Sequence, residues 1–171
     1  MKKSLFFIIL FTWAYTNSFA QITSTFKKYG ISFEYFFDWT LEDKYDKTES
    51  MISHNDNDSF ITIKTVSYKD ESQMESELGA FLLSEFNGIV KSLDELETYN
   101  EGTLDDGTPF LEVIDQSAPD EDGEVQLVKV LLVVLEAKKT IVAISFMEFY
   151  TGKPKLVEDY NYIKTTLKAV K

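Results

Sequence analysis

The chain has 171 residues, no cysteine, and a net charge of −12 in which all seventeen basic residues are lysine. That composition excludes disulfides, thiolate catalysis and thiolate metal sites. It also argues against nucleic acid and anionic membrane as partners, because like charges repel and no arginine is present to grip phosphate with two hydrogen bonds.

Residues 1–20 read as a secretory signal peptide. Lys2 and Lys3 form a positive start, "SLFFIILFTWAY" is a short apolar core, and Ser18 and Ala20 are the small residues of a cleavage site. An uncleaved anchor is the alternative, and with no cysteine to follow, a lipid anchor is excluded. Cleavage would leave residues 21–171 as a single domain of charge −14, since the two leader lysines depart and no acid goes with them. No other apolar run approaches the roughly 20 residues of a membrane helix. The expectation is an exported protein, periplasmic or extracellular, with no stable membrane insertion after cleavage.

In "TFKKYGISFEYFFDW" two short strands flank Tyr29-Gly30. Ile31, Phe33 and Tyr35 alternate with Ser32 and Glu34, the period of a half-buried strand; Asp38 and Trp39 then begin a loop. Residues 50–68 form a hairpin around Asn55-Asp56-Asn57-Asp58. A helix follows, with Ser72 to Glu75 at capping-box spacing. Met74, Leu78, Phe81, Leu82, Phe86 and Ile89 recur at helical intervals, and Asn87-Gly88 is the stop. A second hairpin turns at Asp106-Gly107, where both central positions favour positive φ. After the turn "PDEDGE" come "VQLVKVLLVVL" and "TIVAISFMEF", rich in valine and isoleucine and barely alternating. That is the pattern of strands covered on both faces. A last helix enters at Thr151 to Pro154 and carries Leu156, Tyr160, Ile163, Leu167 and Val170 on one side, with Lys164, Lys168 and Lys171 toward its end. The expected class is α+β, a largely antiparallel sheet covered by helices on both faces.

The stretch "GISFEYFFDW" resembles the opening of the Mog1/PsbP-like proteins. Gly30, Ile31, Ser32, Tyr35, Asp38 and Trp39 fit the pattern, Phe36 stands where proline is common, and "IKTTL" in the closing helix is similar as well. The resemblance implies an α/β/α sandwich that serves as a binding scaffold and has no shared catalytic apparatus. It implies no particular partner.

Little in the residues points to catalysis. There is no Gly-x-Ser-x-Gly elbow, no phosphate-cradling glycine loop, and a single histidine, His54, beside a turn. No catalytic residue and no cofactor are expected. Two acidic turns, Asp56 and Asp58 with Ser59, and Asp120, Asp122 and Glu124, have the oxygen density that calcium favours. Neither fits the EF-hand pattern, and solvated hairpin turns explain both. Phe36, Phe37 and Trp39 either plug the end of the sheet under a helix or form an exposed ligand edge. The leading expectation is a secreted, non-enzymatic binding or accessory domain of the cell envelope, its partner a protein or small ligand. A small carboxylate-dependent hydrolase and a weak calcium-binding module are the alternatives.

Overall fold

The computed structural model describes residues 22–42, 47–56, 58–85, 99–116, 125–150 and 156–170. The leader at 1–20, the helix stop at 86–89, the acidic turn at 119–124 and the helix entry at 151–154 lie outside the described residues, so Asp120, Asp122 and Glu124 do too.

The first hairpin is β1 (Thr23–Lys28) and β2 (Ile31–Phe36). Its turn residues Tyr29 and Gly30 both have positive φ, 56° and 79°, which glycine adopts freely and tyrosine at some cost. Ile31, Phe33 and Tyr35 are buried, and Phe26 stacks on Phe33 with ring centres 4.9 Å apart. Trp39 does not begin a loop. Phe37 and Asp38 alone make the turn, and Trp39 opens β3 (Trp39–Glu42), paired with β4 (Glu49–His54) so that Trp39 lies opposite His54. β4 pairs with β5 (Ser59–Ser67) as the second hairpin.

α1 (Glu71–Glu85) starts one residue before the expected cap. Asp70, not Ser72, accepts the amide of Gln73 at 3.0 Å, while the Gln73 side chain accepts the amide of Lys69 at 2.9 Å. This is the reciprocal logic of a capping box on another pair of residues. β6 (Tyr99–Thr103) and β7 (Pro109–Gln116) form the third hairpin. Its loop spans Leu104 to Thr108, with Leu104 and Thr108 joined by a 2.8 Å backbone bond. Only Gly107 takes positive φ, 83°, while Asp106 accepts the amide of Thr108 with its carboxylate. The loop is longer than the two-residue turn expected from Asp106-Gly107.

β8 (Val125–Leu135) and β9 (Thr140–Tyr150) pair along eleven residues each, through a single 3-10 turn at Glu136–Lys138. α2 (Val157–Thr166) follows. It ends earlier than expected. Leu167 is extended, φ −68° and ψ 131°, and Lys168–Ala169 form β10 against Ser32 and Ile31 of β2. Leu167 is buried at the junction, so the apolar period that looked helical continues through a strand.

The described strands form two sheets, and all pairs among them are antiparallel. β3-β4-β5-β9-β8-β7-β6 is the larger and β1-β2-β10 the smaller. The fold class is α+β, but among the described residues a second sheet accompanies the two helices. Along β8, Leu131, Val133 and Leu135 join one core cluster while Val128, Val130 and Leu132 join another. The first cluster contains Phe26, Ile31 and Phe33 of the small sheet together with Tyr160, Ile163 and Leu167. The second contains Leu78, Phe81 and Leu82 of α1. Strand side chains alternate sides, so β8 and β9 read as continuous apolar runs because both sides are packed. Burying each such side chain contributes about 1.5–3 kcal/mol.

Candidate functional site

α2 brings two polar clusters to the rim of the first core. Tyr160 serves one and the adjacent Asp159 the other.

The Tyr160 cluster is closed. Glu112, central in β7, is 6% exposed. Its carboxylate accepts the hydroxyl of Tyr160, the ammonium of Lys164 at 2.7 Å and the side-chain amide of Asn100 at 3.3 Å. Burial opposes its charge, but the donors from Lys164, Tyr160 and Asn100 prevail and hold its pKa below the usual carboxylate value. Burial, and then the bond to Glu112, pushes the Tyr160 hydroxyl far up. Lys164 also lies 4.6 Å from the centre of the Phe110 ring. That ring packs over Gly102, where a Cβ would come within 2.8 Å of it. Lys129, from β8, sits 4.5 Å from the Tyr160 ring, and burial lowers its pKa. Glu148 of β9 is buried and accepts the amide of Leu156 at 3.3 Å at the start of α2, a favourable place for a carboxylate. Every strong charge in this cluster has an internal role, which is the arrangement of a structural network.

The second cluster surrounds Trp39 at the end of the large sheet. Trp39 is 3% exposed. It meets Phe146 edge-on at 5.9 Å and His54 edge-on at 5.1 Å, and its indole N–H donates to Asp159 Oδ2 at 3.0 Å. His54 lies between two carboxylates: Nδ1 is 2.6 Å from Asp56 Oδ1 and Nε2 is 3.4 Å from Asp38 Oδ2. Burial would lower the imidazole pKa, but hydrogen bonds and charge from Asp56 and then Asp38 outweigh it, and the value is raised above 6.5. Asp159 is raised by burial and by the charge of Asp38, against the lowering effects of Trp39 and His54. Asp38 Oδ1 is buried and has no hydrogen-bond partner among the described residues.

Of the predicted site residues, Phe36 and Trp39 are buried, with Phe36 stacked on Tyr162 at 4.7 Å. Phe37 is 65% exposed. Its amide donates to the carbonyl of Ile22 at 3.2 Å, which sets it beside Ile22, itself 69% exposed. Asp56 Oδ1 also accepts the amide of Asp58 at 3.1 Å, so the turn uses this oxygen internally. Among the described residues no group of three or more acidic, histidine or cysteine side chains is placed to hold a metal ion. A raised carboxyl beside another carboxylate, as in Asp159 and Asp38, is the electrostatic arrangement of acid pairs. Here, however, Trp39 holds one oxygen of Asp159 and His54 one of Asp38. Asp159, Glu112 and Tyr160 carried no signal in the sequence, because their partners lie 48 to 120 residues away.

The chain matches no protein-family model and no curated protein. Solved structures do match. The Ran-binding protein Mog1p of Saccharomyces cerevisiae superposes with a TM-score of 0.57 at 13% identity, over 88% of this chain and 97% of that one. The fold is Mog1/PsbP-like. A point mutant of Mog1 gives the same score at 13% identity, covering 87% and 96%. A crystal structure from Bacteroides thetaiotaomicron VPI-5482 has a TM-score of 0.55 at 14% identity over 88% of this chain, which spans about half of that longer chain, 49%. At these identities the likeness is one of Mog1-like architecture.

Proposed function

We propose that the chain is a non-enzymatic binding domain, exported to the cell envelope as a periplasmic or extracellular protein, that engages a protein partner through the end carrying Ile22 and Phe37. The observation behind this reading is the side-by-side exposure of these two large apolar side chains, 69% and 65%, on backbone braced by buried Phe36 and Trp39. Single exposed apolar residues are common. Two adjacent ones on a rigid frame, one of them aromatic, form the kind of anchor that protein interfaces use. The Ran-binding protein of the same fold supports a protein as partner, and the charge of −12 favours one with a basic face over nucleic acid. In this reading the helices take opposite faces of the large sheet, an α/β/α arrangement that leaves the ends for contact. A carboxylate-dependent hydrolase would need the acid oxygen of Asp159 that Trp39 holds. A calcium module would need the Asp56 oxygen that His54 holds.

A photo-crosslinking side chain placed at Phe37, and another at Leu83 on α1 as an exposed control, tests the docking face in envelope extract. One protein adduct formed at 37, not at 83, and lost in Ile22→Ser supports it. Equal labelling at both sites, or none, overturns it. N-terminal sequencing of the exported protein, expected to begin at Gln21, tests the leader.

A further inference from the structure

The only histidine of the chain stands where two turns and a helix meet, next to the proposed docking face. Asp38 belongs to the turn between β2 and β3, immediately after Phe37. Asp56 belongs to the turn between β4 and β5. His54 ends β4 and reaches both, Asp56 at 2.6 Å and Asp38 at 3.4 Å. From α2, Asp159 faces the same group through Trp39, with Glu158 beside it. Asp38 and Asp56 thus contact the imidazole directly, while Asp159 and Glu158 of α2 lie beyond Trp39.

We propose that His54 is a pH-sensitive clamp: charged, it ties the Phe37–Asp38 turn to the Asp56 turn; neutral, it releases Asp38 and loosens the mount of Phe37. The reason is donor count. An imidazolium has two N–H donors and a neutral imidazole has one. Nδ1 lies 2.6 Å from Asp56 Oδ1 and 3.4 Å from the Asp56 amide, and the much shorter contact to the carboxylate favours keeping the remaining proton on Nδ1, so Asp38, already holding one unsatisfied buried oxygen, loses its donor. Asp38 and Asp159 then face each other without the cation between them. The raised pKa of His54 and the opposing influences of Asp38 and His54 on Asp159 agree with this coupling. Since its folded value lies above 6.5, the clamp closes as pH falls through that value and opens as pH rises through it. As regulation of the Ile22–Phe37 face it rests on the reading of that face as a docking surface, while the clamp itself is a property of the isolated domain.

The mature protein suits the test. Its single histidine lies 5.1 Å from Trp39, the one tryptophan left after residues 1–20, and a charged imidazole quenches indole emission. In the purified mature domain with no partner present, Trp39 emission and the His54 imidazole resonances are expected to titrate together, with a midpoint above 6.5. The transition should be absent from emission in His54→Gln. In Asp38→Asn the midpoint should fall back toward 6.5. Amide protection factors of Phe37 and Asn55, which donate to Ile22 O and Asp38 O, should drop across the same midpoint. A midpoint at or below 6.5, an unchanged midpoint in Asp38→Asn, an emission transition that persists in His54→Gln, or constant amide protection overturns the clamp. Phe37→Ser separates the two readings: it should abolish crosslinking yet leave the titration intact.

Discussion

Asp159 and Tyr160 are neighbours on α2, yet they enter polar clusters of opposite character. Tyr160 points to Glu112, whose carboxylate is met by three donors and is nearly sealed from water. Asp159 points to Trp39 and, through it, to His54, whose two carboxylate contacts are 40% and 39% exposed. In the first cluster the donors around Glu112 lower its pKa, and burial raises that of Tyr160. In the second, one imidazole stands between two carboxylates, and their charge raises its pKa above 6.5. A buried charge network fixes geometry when every member is satisfied. A half-open one, with an oxygen of Asp38 left over, responds to its surroundings.

The sharpest way to break this contrast is to remove Trp39, which belongs to both the core and the open cluster. Trp39→Ala should cost about 3–5 kcal/mol in urea unfolding; a loss under about 1 kcal/mol would mean the indole is not the packing piece its 3% exposure indicates. Next comes Lys164→Met, which leaves the Glu112 charge with two neutral donors. About 1.5–3 kcal/mol should be lost at neutral pH, as for a hydrogen bond to a charged group. The pH dependence sharpens it. Glu112 has a depressed folded pKa, so its contribution is present above about 4.5 and is lost as pH falls through the folded value. Lys164→Met should flatten that acid limb of the stability curve, and an unchanged limb would move the acid sensitivity elsewhere.

The open cluster should give the opposite sign. His54 has a raised folded pKa, so its stabilisation is complete below 6.5 and disappears as pH rises through the folded value. With both acids substantially exposed, the difference between wild type and His54→Gln should be about 0.2–1 kcal/mol at pH 5.5 and near zero at pH 9. Equal differences at the two pH values would refute the ion-pair role. The smallest effect is expected at Phe37→Ser, within about 0.5 kcal/mol, because the ring is 65% exposed. A larger loss in thermal melting would place Phe37 in the fold and not on a binding surface.

Several elements were legible in the residues. The valine- and isoleucine-rich runs at 125–135 and 140–150 announced two long paired strands covered on both sides. Tyr29-Gly30 and the acidic turn before Ser59 announced hairpins, since side-chain period and turn chemistry are local. The errors were local competitions, one settled by near neighbours and one by a distant strand. Asp70 displaced Ser72 as cap, and either serves the same free amides. Leu167 to Val170 continued the helical spacing, but β2 offered an unpaired edge, and the chain straightened to meet it. Just past that pairing the amide of Glu34 is met by Thr166 Oγ1 at 3.0 Å instead of by a strand.

The candidate site divides in the same way. Phe36, Phe37 and Trp39 were singled out from their own short stretch, but nothing there separates the exposed ring from the buried ones. That depends on which side of β2 and β3 faces Phe146 and α2. The sequence alone determined an acidic, cysteine-free chain with turns, strands and helices in nearly the observed order, because charge follows from composition and local elements follow from neighbouring residues. Only the tertiary structure decided that β9 lies between β5 and β8, that a second sheet forms from both ends of the domain, and that Trp39, His54 and Asp159 meet. Such contacts join residues 15 to 138 positions apart, and pairing at that range is selected by packing of the whole chain and leaves no mark on local sequence.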